Sequence, residues 1–189
     1  MIARVVRMHG RIAGTTPAGK TYRASDPELL TWVHATAAFG FSQAYDRYVR
    51  PLPPGDRDRL CAEAAPAALL YGVTDIPRTL PHLMEQIESL RAGLEPSPIV
   101  HEFLRIVGEI PILPMPLRPV QRTLVRAAVE IVPAWLRYRL GLLEDSGLRS
   151  WEMPLAKRIG RMSDRLLLPS FPAVQSCIRL GLPRDYLYH

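Results

Sequence analysis

The sequence predicts an all-α fold: a single multi-helix domain over residues 1–189, arranged around one buried central helix at about residues 26–49. Three observations carry that expectation. Apolar residues recur at helical spacing along most of the chain. The 19 prolines are scattered and sit mostly where helices would start or stop. No stretch alternates convincingly with period 2, and no hairpin dipeptide occurs. With 48% apolar and 22% charged residues, a chain of this size can bury a real core.

Residues 2–13 read as a short helix, with Ile2, Val5, Val6, Met8 and Ile12 among arginines and a glycine stop at Gly14. Residues 14–24 read as a polar loop. Ser25-Asp26-Pro27-Glu28 then places a Ser cap, a first-turn proline and a Glu three residues after the cap. The helix it opens should run to about Val49, before Pro51, Pro53 and Pro54. From Leu29 to Phe41 it is apolar on nearly every side, the mark of an interior helix.

Further helices are expected from Gly55 to Tyr71, from Thr79 through Arg91 and from Ser97 to before Pro111. The run 111–119 (PILPMPLRP) has too many prolines for a helix and reads as an internal linker. Beyond it come an amphipathic helix from Pro119 to Pro133, a brief turn at Ala134–Leu140 and a basic amphipathic helix at Leu155–Leu168.

Formal charge is +6, from 24 basic and 18 acidic residues, and Lys20 and Lys157 are the only lysines. The arginines are dispersed as a solvated helical surface would have them. With no zinc-finger spacing or RNA-recognition signature, nucleic acid is not an expected partner. Cys61 and Cys177 belong to no C-x-x-C pair, so a reduced, cytoplasmic protein with two core thiols is expected. The arginine-broken start lacks the continuous apolar core of a signal peptide. No stretch approaches the roughly 18 uninterrupted apolar residues of a spanning helix.

Of the histidines His9, His34, His82, His101 and His189, His34 differs, lying inside the apolar helix with Leu30, Ala37, Ala38 and Phe41 on the same side. A buried imidazole is hydrogen-bonded or bound to metal. A satisfied core histidine is the plain alternative; the sharper one is an axial haem ligand, a role that asks for one imidazole in a dry pocket. Zinc fits poorly, because no second ligand stands at i+3 or i+4. His82 and His101 sit at helix starts as surface residues, and Glu85 and Glu88 read as a solvated pair. There is no G-x-S-x-G, P-loop or G-x-G-x-x-G motif.

The stretch Tyr22-Arg23-Ala24-Ser25-Asp26-Pro27-Glu28-Leu29-Leu30-Thr31-Trp32-Val33-His34-Ala35-Thr36 closely resembles the signature helix of the MpaB-type oxygenases, a family that includes the rubber (latex-clearing) oxygenases. Arg7-Met8-His9 upstream is similar to the family's Met-His segment. Phe41 to Pro51-Leu52, Asp75 to Leu80 and Val132 to Leu142 match more loosely, so the resemblance covers about residues 4–143.

The resemblance implies an all-α protein in which His34 holds the iron of haem b. It also implies dioxygen and a hydrophobic, unsaturated, isoprenoid-like substrate. Arg4 and Arg7 are then candidate partners for the haem propionates, since guanidinium pairs with carboxylate in a bidentate fork. Two features depart from the pattern. The family carries helices upstream of the Met-His segment, which have no counterpart here. After Thr36, where the family has a bulky apolar residue and an acid, this chain has Ala37, Ala38, Phe39 and Gly40. These departures motivate the competing expectation of a non-catalytic helical remnant. Uncovered apolar surface would make it a homo-oligomer or a protein associated with a membrane surface.

Overall fold

The computed structural model describes residues 2–16, 19–142 and 146–188. His189, and Pro17 and Ala18 of the expected polar loop, lie outside the described residues. The fold is predominantly α, as expected, with one departure near the start. Helix α1 (Ile2–His9) is followed by a small antiparallel hairpin of β1 (Ala13–Thr15) and β2 (Thr21–Arg23). In its register Gly14 faces Tyr22, and the Tyr22 ring lies across the glycine: a Cβ on Gly14 would fall 2.6 Å from the phenolic oxygen. The reversal is closed by Thr16, whose N–H donates to the Lys20 carbonyl and whose hydroxyl accepts from the Lys20 N–H. Three-residue strands are too short to display alternation, so the segment reads as a loop in sequence.

Helix α2 (Pro27–Tyr48) is the hub, packing against α3 (Pro54–Tyr71), α4 (Leu80–Ser89), α6 (Arg118–Glu130) and α8 (Glu152–Ser163). Its start differs from the expected capping box. Asp26, not Ser25, is the cap residue, and its carboxylate accepts from the Arg23 N–H instead of from the helix. The helix is central but not interior all round: Ala35, Ser42 and Tyr48 are buried, whereas Val33 is exposed and Phe41 is 76% exposed. Apolar composition on every side therefore does not mean burial on every side. It means one face buried in the core and another uncovered.

Two apolar clusters hold α2 in place. Ala35 packs with Cys61 of α3 and with Leu83 and Ile87 of α4, joined by Ala38, Phe39 and Trp135. Farther along, Tyr48 packs with Ala127 of α6 and Ala156 of α8. The Tyr48 hydroxyl donates to the Ala127 carbonyl at 2.8 Å. Thr79 and Ser97 cap α4 and α5 (Pro98–Glu109) as the sequence predicts, accepting from the N–H groups of His82 and Ile99.

The proline-rich run 111–119 connects α5 to α6 through a short 3-10 turn at Met115–Leu117. Buried Gln121 ties it down, donating to the carbonyls of Val107 and Ile110 and accepting from the Leu113 N–H. Helix α7 (Ala134–Arg139) follows. The basic helix begins earlier than expected, at Glu152, and ends at Ser163; α9 (Pro172–Arg179) beyond it was not foreseen. Cys61 and Cys177 are free and buried. Among the described residues no helix is long and apolar enough to cross a membrane.

Candidate functional site

His34 lies on α2 between the buried Ala35 and the exposed Val33, and it is itself half-buried. Its Nε2 is shielded from solvent and has no hydrogen-bond partner among the described residues. Burial pushes the imidazole pKa below its ordinary value, so the ring is neutral near pH 7. A neutral ring with an uncommitted nitrogen in an apolar setting is the protonation state that metal ligation requires. Among the described residues no group of three or more His, Cys, Asp or Glu side chains could hold a bare metal ion. The donor present is one imidazole, which suits a metal whose other ligands come with a macrocycle.

The side of α2 running from Thr36 through Gly40 to Ala44 borders an apolar cleft of about 780 Å³. Opposite walls come from the end of α4 and from α5, α6 and α7, with Leu90, Leu124 and Leu136 among the lining residues. Ala37 and Gly40, two of the residues that depart from the family pattern, line this cleft, and a Cβ on Gly40 would meet nothing within 4 Å. Small residues here make the space. His34 is not among the lining residues, but Ala37 and Phe41, one and two turns farther along the helix, are. A hydrophobic channel was expected without its walls being named; the sequence trace of those walls is the pair of amphipathic helices α5 and α6.

Arg4 and Arg7 are exposed on α1, which packs chiefly against α3, and neither forms an ion pair among the described residues. No described contact places them beside His34. His82 pairs with Asp75 at 3.4 Å, His101 is exposed, and Glu88 is engaged by Arg91 at 2.6 Å, all surface roles as expected.

The family model for the ER-bound oxygenase mpaB/B'/rubber oxygenase catalytic domain matches residues 1–163. The chain belongs to this family. Comparisons with curated proteins and with solved structures return no match. The match takes in α1 through α8, so α2, His34 and the walls of the apolar cleft all belong to the oxygenase catalytic domain. Helix α9 and the segment after it lie beyond the match.

Proposed function

We propose that this oxygenase-family protein is haem-dependent and acts with dioxygen on a hydrophobic, unsaturated substrate, with His34 as the axial ligand of haem b. The observation that carries the reading is the buried, partnerless Nε2 of His34. Leaving that nitrogen unpaired has a cost in free energy, and coordination to iron would remove it. Arg4 and Arg7, three residues apart on an exposed helix and without ion pairs among the described residues, are the proposed propionate partners.

When bound, the haem would supply the oxygen chemistry. The chain's own residues would do three things. His34 donates one nitrogen while staying neutral. The apolar walls around Leu90, Leu124 and Leu136 hold a hydrocarbon chain and exclude water. The methyl group of Ala37 and the bare backbone at Gly40 set the width available to that chain. Incubating the haem-loaded protein with squalene under air tests this: aldehyde or ketone products are expected, and none without dioxygen. Absence of carbonyl products in air, from protein whose haem is bound, would remove the catalytic reading.

A second reading has one specific observation behind it. Helix α5 buries none of its residues, and Ile99 and Phe103 are 69% and 61% exposed. Such a face suits association with another apolar surface. The same is not true of the basic helix α8, whose small-residue side is taken up by Tyr48 and Ala127. Analytical ultracentrifugation and flotation with anionic liposomes test this reading; a monomer that does not float would dismiss it.

A further inference from the structure

Helix α5 packs chiefly against α6, and the run that joins them is chemically unlike the rest of the surface. Residues 110–117 (IPILPMPL) are all isoleucine, leucine, methionine or proline. Such side chains belong in a core, yet Ile112 is 66% and Met115 77% exposed. The backbone of the run is largely closed on itself. Pro111, Pro114 and Pro116 have no N–H to satisfy. The N–H groups of Ile110, Ile112 and Leu117 donate to the carbonyls of Ile106, Ile110 and Pro114, and that of Leu113 donates to Gln121 Oε1 at 3.3 Å. Gln121, itself buried, donates in turn to the carbonyls of Val107 and Ile110.

These features select lipid over protein as the partner of the run. A protein interface carries about one hydrogen bond per 100–200 Å². Eight successive side chains here offer nothing stronger than a thioether. A bilayer asks for side chains that need no partner and for backbone polar groups satisfied from within. Charge points the same way. No Asp or Glu stands between Glu109 and Glu130. Arg118 and Arg122, one turn apart at the start of α6, are exposed and form no ion pair among the described residues. We propose that residues 110–117 insert into the surface of an anionic membrane, with Arg118 and Arg122 against its headgroups. The proposal rests on the reading of α5 as an association face, whose partner it names, and needs neither His34 nor haem.

Co-sedimentation of the full chain with phosphatidylcholine vesicles, with and without phosphatidylglycerol, tests it. Binding to the mixed vesicles is expected, about tenfold stronger than to phosphatidylcholine alone and weakened by salt. The double variant Ile112→Asp, Met115→Asp should weaken it about tenfold, and Arg118→Gln, Arg122→Gln should lower it to the level of neutral vesicles. All four residues are exposed, so both variants should fold, which circular dichroism checks. Sedimentation velocity without vesicles reads self-association separately. A chain that self-associates but binds no vesicles overturns the proposal and leaves the α5 reading standing, with a second copy as partner. A chain that does neither removes both. Undiminished binding in the folded Ile112→Asp, Met115→Asp variant, or equal binding to the two kinds of vesicle, also overturns the proposal.

Discussion

Gly160 of α8 lies so close to the main chain of Tyr48 in α2 that a Cβ on it would fall 2.5 Å from the Tyr48 carbonyl oxygen. The neighbour is backbone and cannot swing aside. This contact lets α8 approach α2 at the point where the Tyr48 hydroxyl also reaches across to Ala127 of α6. Gly160→Ala should destabilise the fold by about 1–3 kcal/mol through overpacking, despite alanine's better helix propensity. Thermal unfolding checks this; a variant as stable as the parent would show that the helices separate freely.

Glu152 anchors the other end of α8. Its carboxylate is 0% exposed and accepts from Arg126 Nε at 2.9 Å, from Arg126 Nη2, from the Thr123 hydroxyl at 3.2 Å and from the Arg149 N–H at 2.9 Å. The bonds from Arg126 lead in holding its pKa below the usual carboxylate value, against the opposing effect of burial. A depressed folded pKa means the unfolded state binds the proton first. The stabilisation is therefore present above the ordinary carboxylate range and is lost as pH falls through the lower folded value. Arg126→Met, which strands the buried charge, should cost about 3–5 kcal/mol near neutral pH and less in acid. Denaturant melts at pH 7 and pH 4 separate the two; equal losses at both would contradict the ion-pair account.

The helical architecture, the caps at Thr79 and Ser97 and the importance of α2 were legible because periodicity and capping chemistry are local. The Glu152–Arg126 pair was not: its partners lie 26 residues apart, and the helix was expected to begin after Glu152. Ser25 looked like the cap because it satisfied the box spacing, yet Asp26 was spent on Arg23 and the hairpin instead. His34 could be singled out from its helical neighbours, but only packing reveals that its Nε2 has no partner. The apolar cleft belongs to five helices at once, and its only traces in the sequence are the amphipathic helices α5 and α6 and the small residues Ala37 and Gly40.

His34 makes a prediction about the protein without haem. Burial lowers its pKa, so below its ordinary value the unfolded state takes up a proton that the folded state resists, and stability falls as pH drops through that range. His34→Leu should remove this part of the pH dependence and leave stability at pH 7 equal or higher, since no hydrogen bond is lost. A variant clearly less stable at pH 7 would mean that the ring has a structural partner.

Gly40→Leu separates stability from ligand capacity. A Cβ at this position meets nothing within 4 Å, and replacing a mid-helix glycine should add about 0.5–1 kcal/mol of stability. The leucine would enter the apolar cleft, so affinity for a neutral probe such as N-phenyl-1-naphthylamine should fall about tenfold. Unchanged probe binding in the more stable variant would place the probe elsewhere.

The central claim is that His34 ligates haem, and visible absorption of the purified protein titrated with haemin tests it most directly. A Soret band that saturates at one haem per chain in the parent, and is lost in a folded His34→Ala variant, is the predicted result. A parent that takes up no haem, or a His34→Ala variant with an unaltered Soret band, would contradict it.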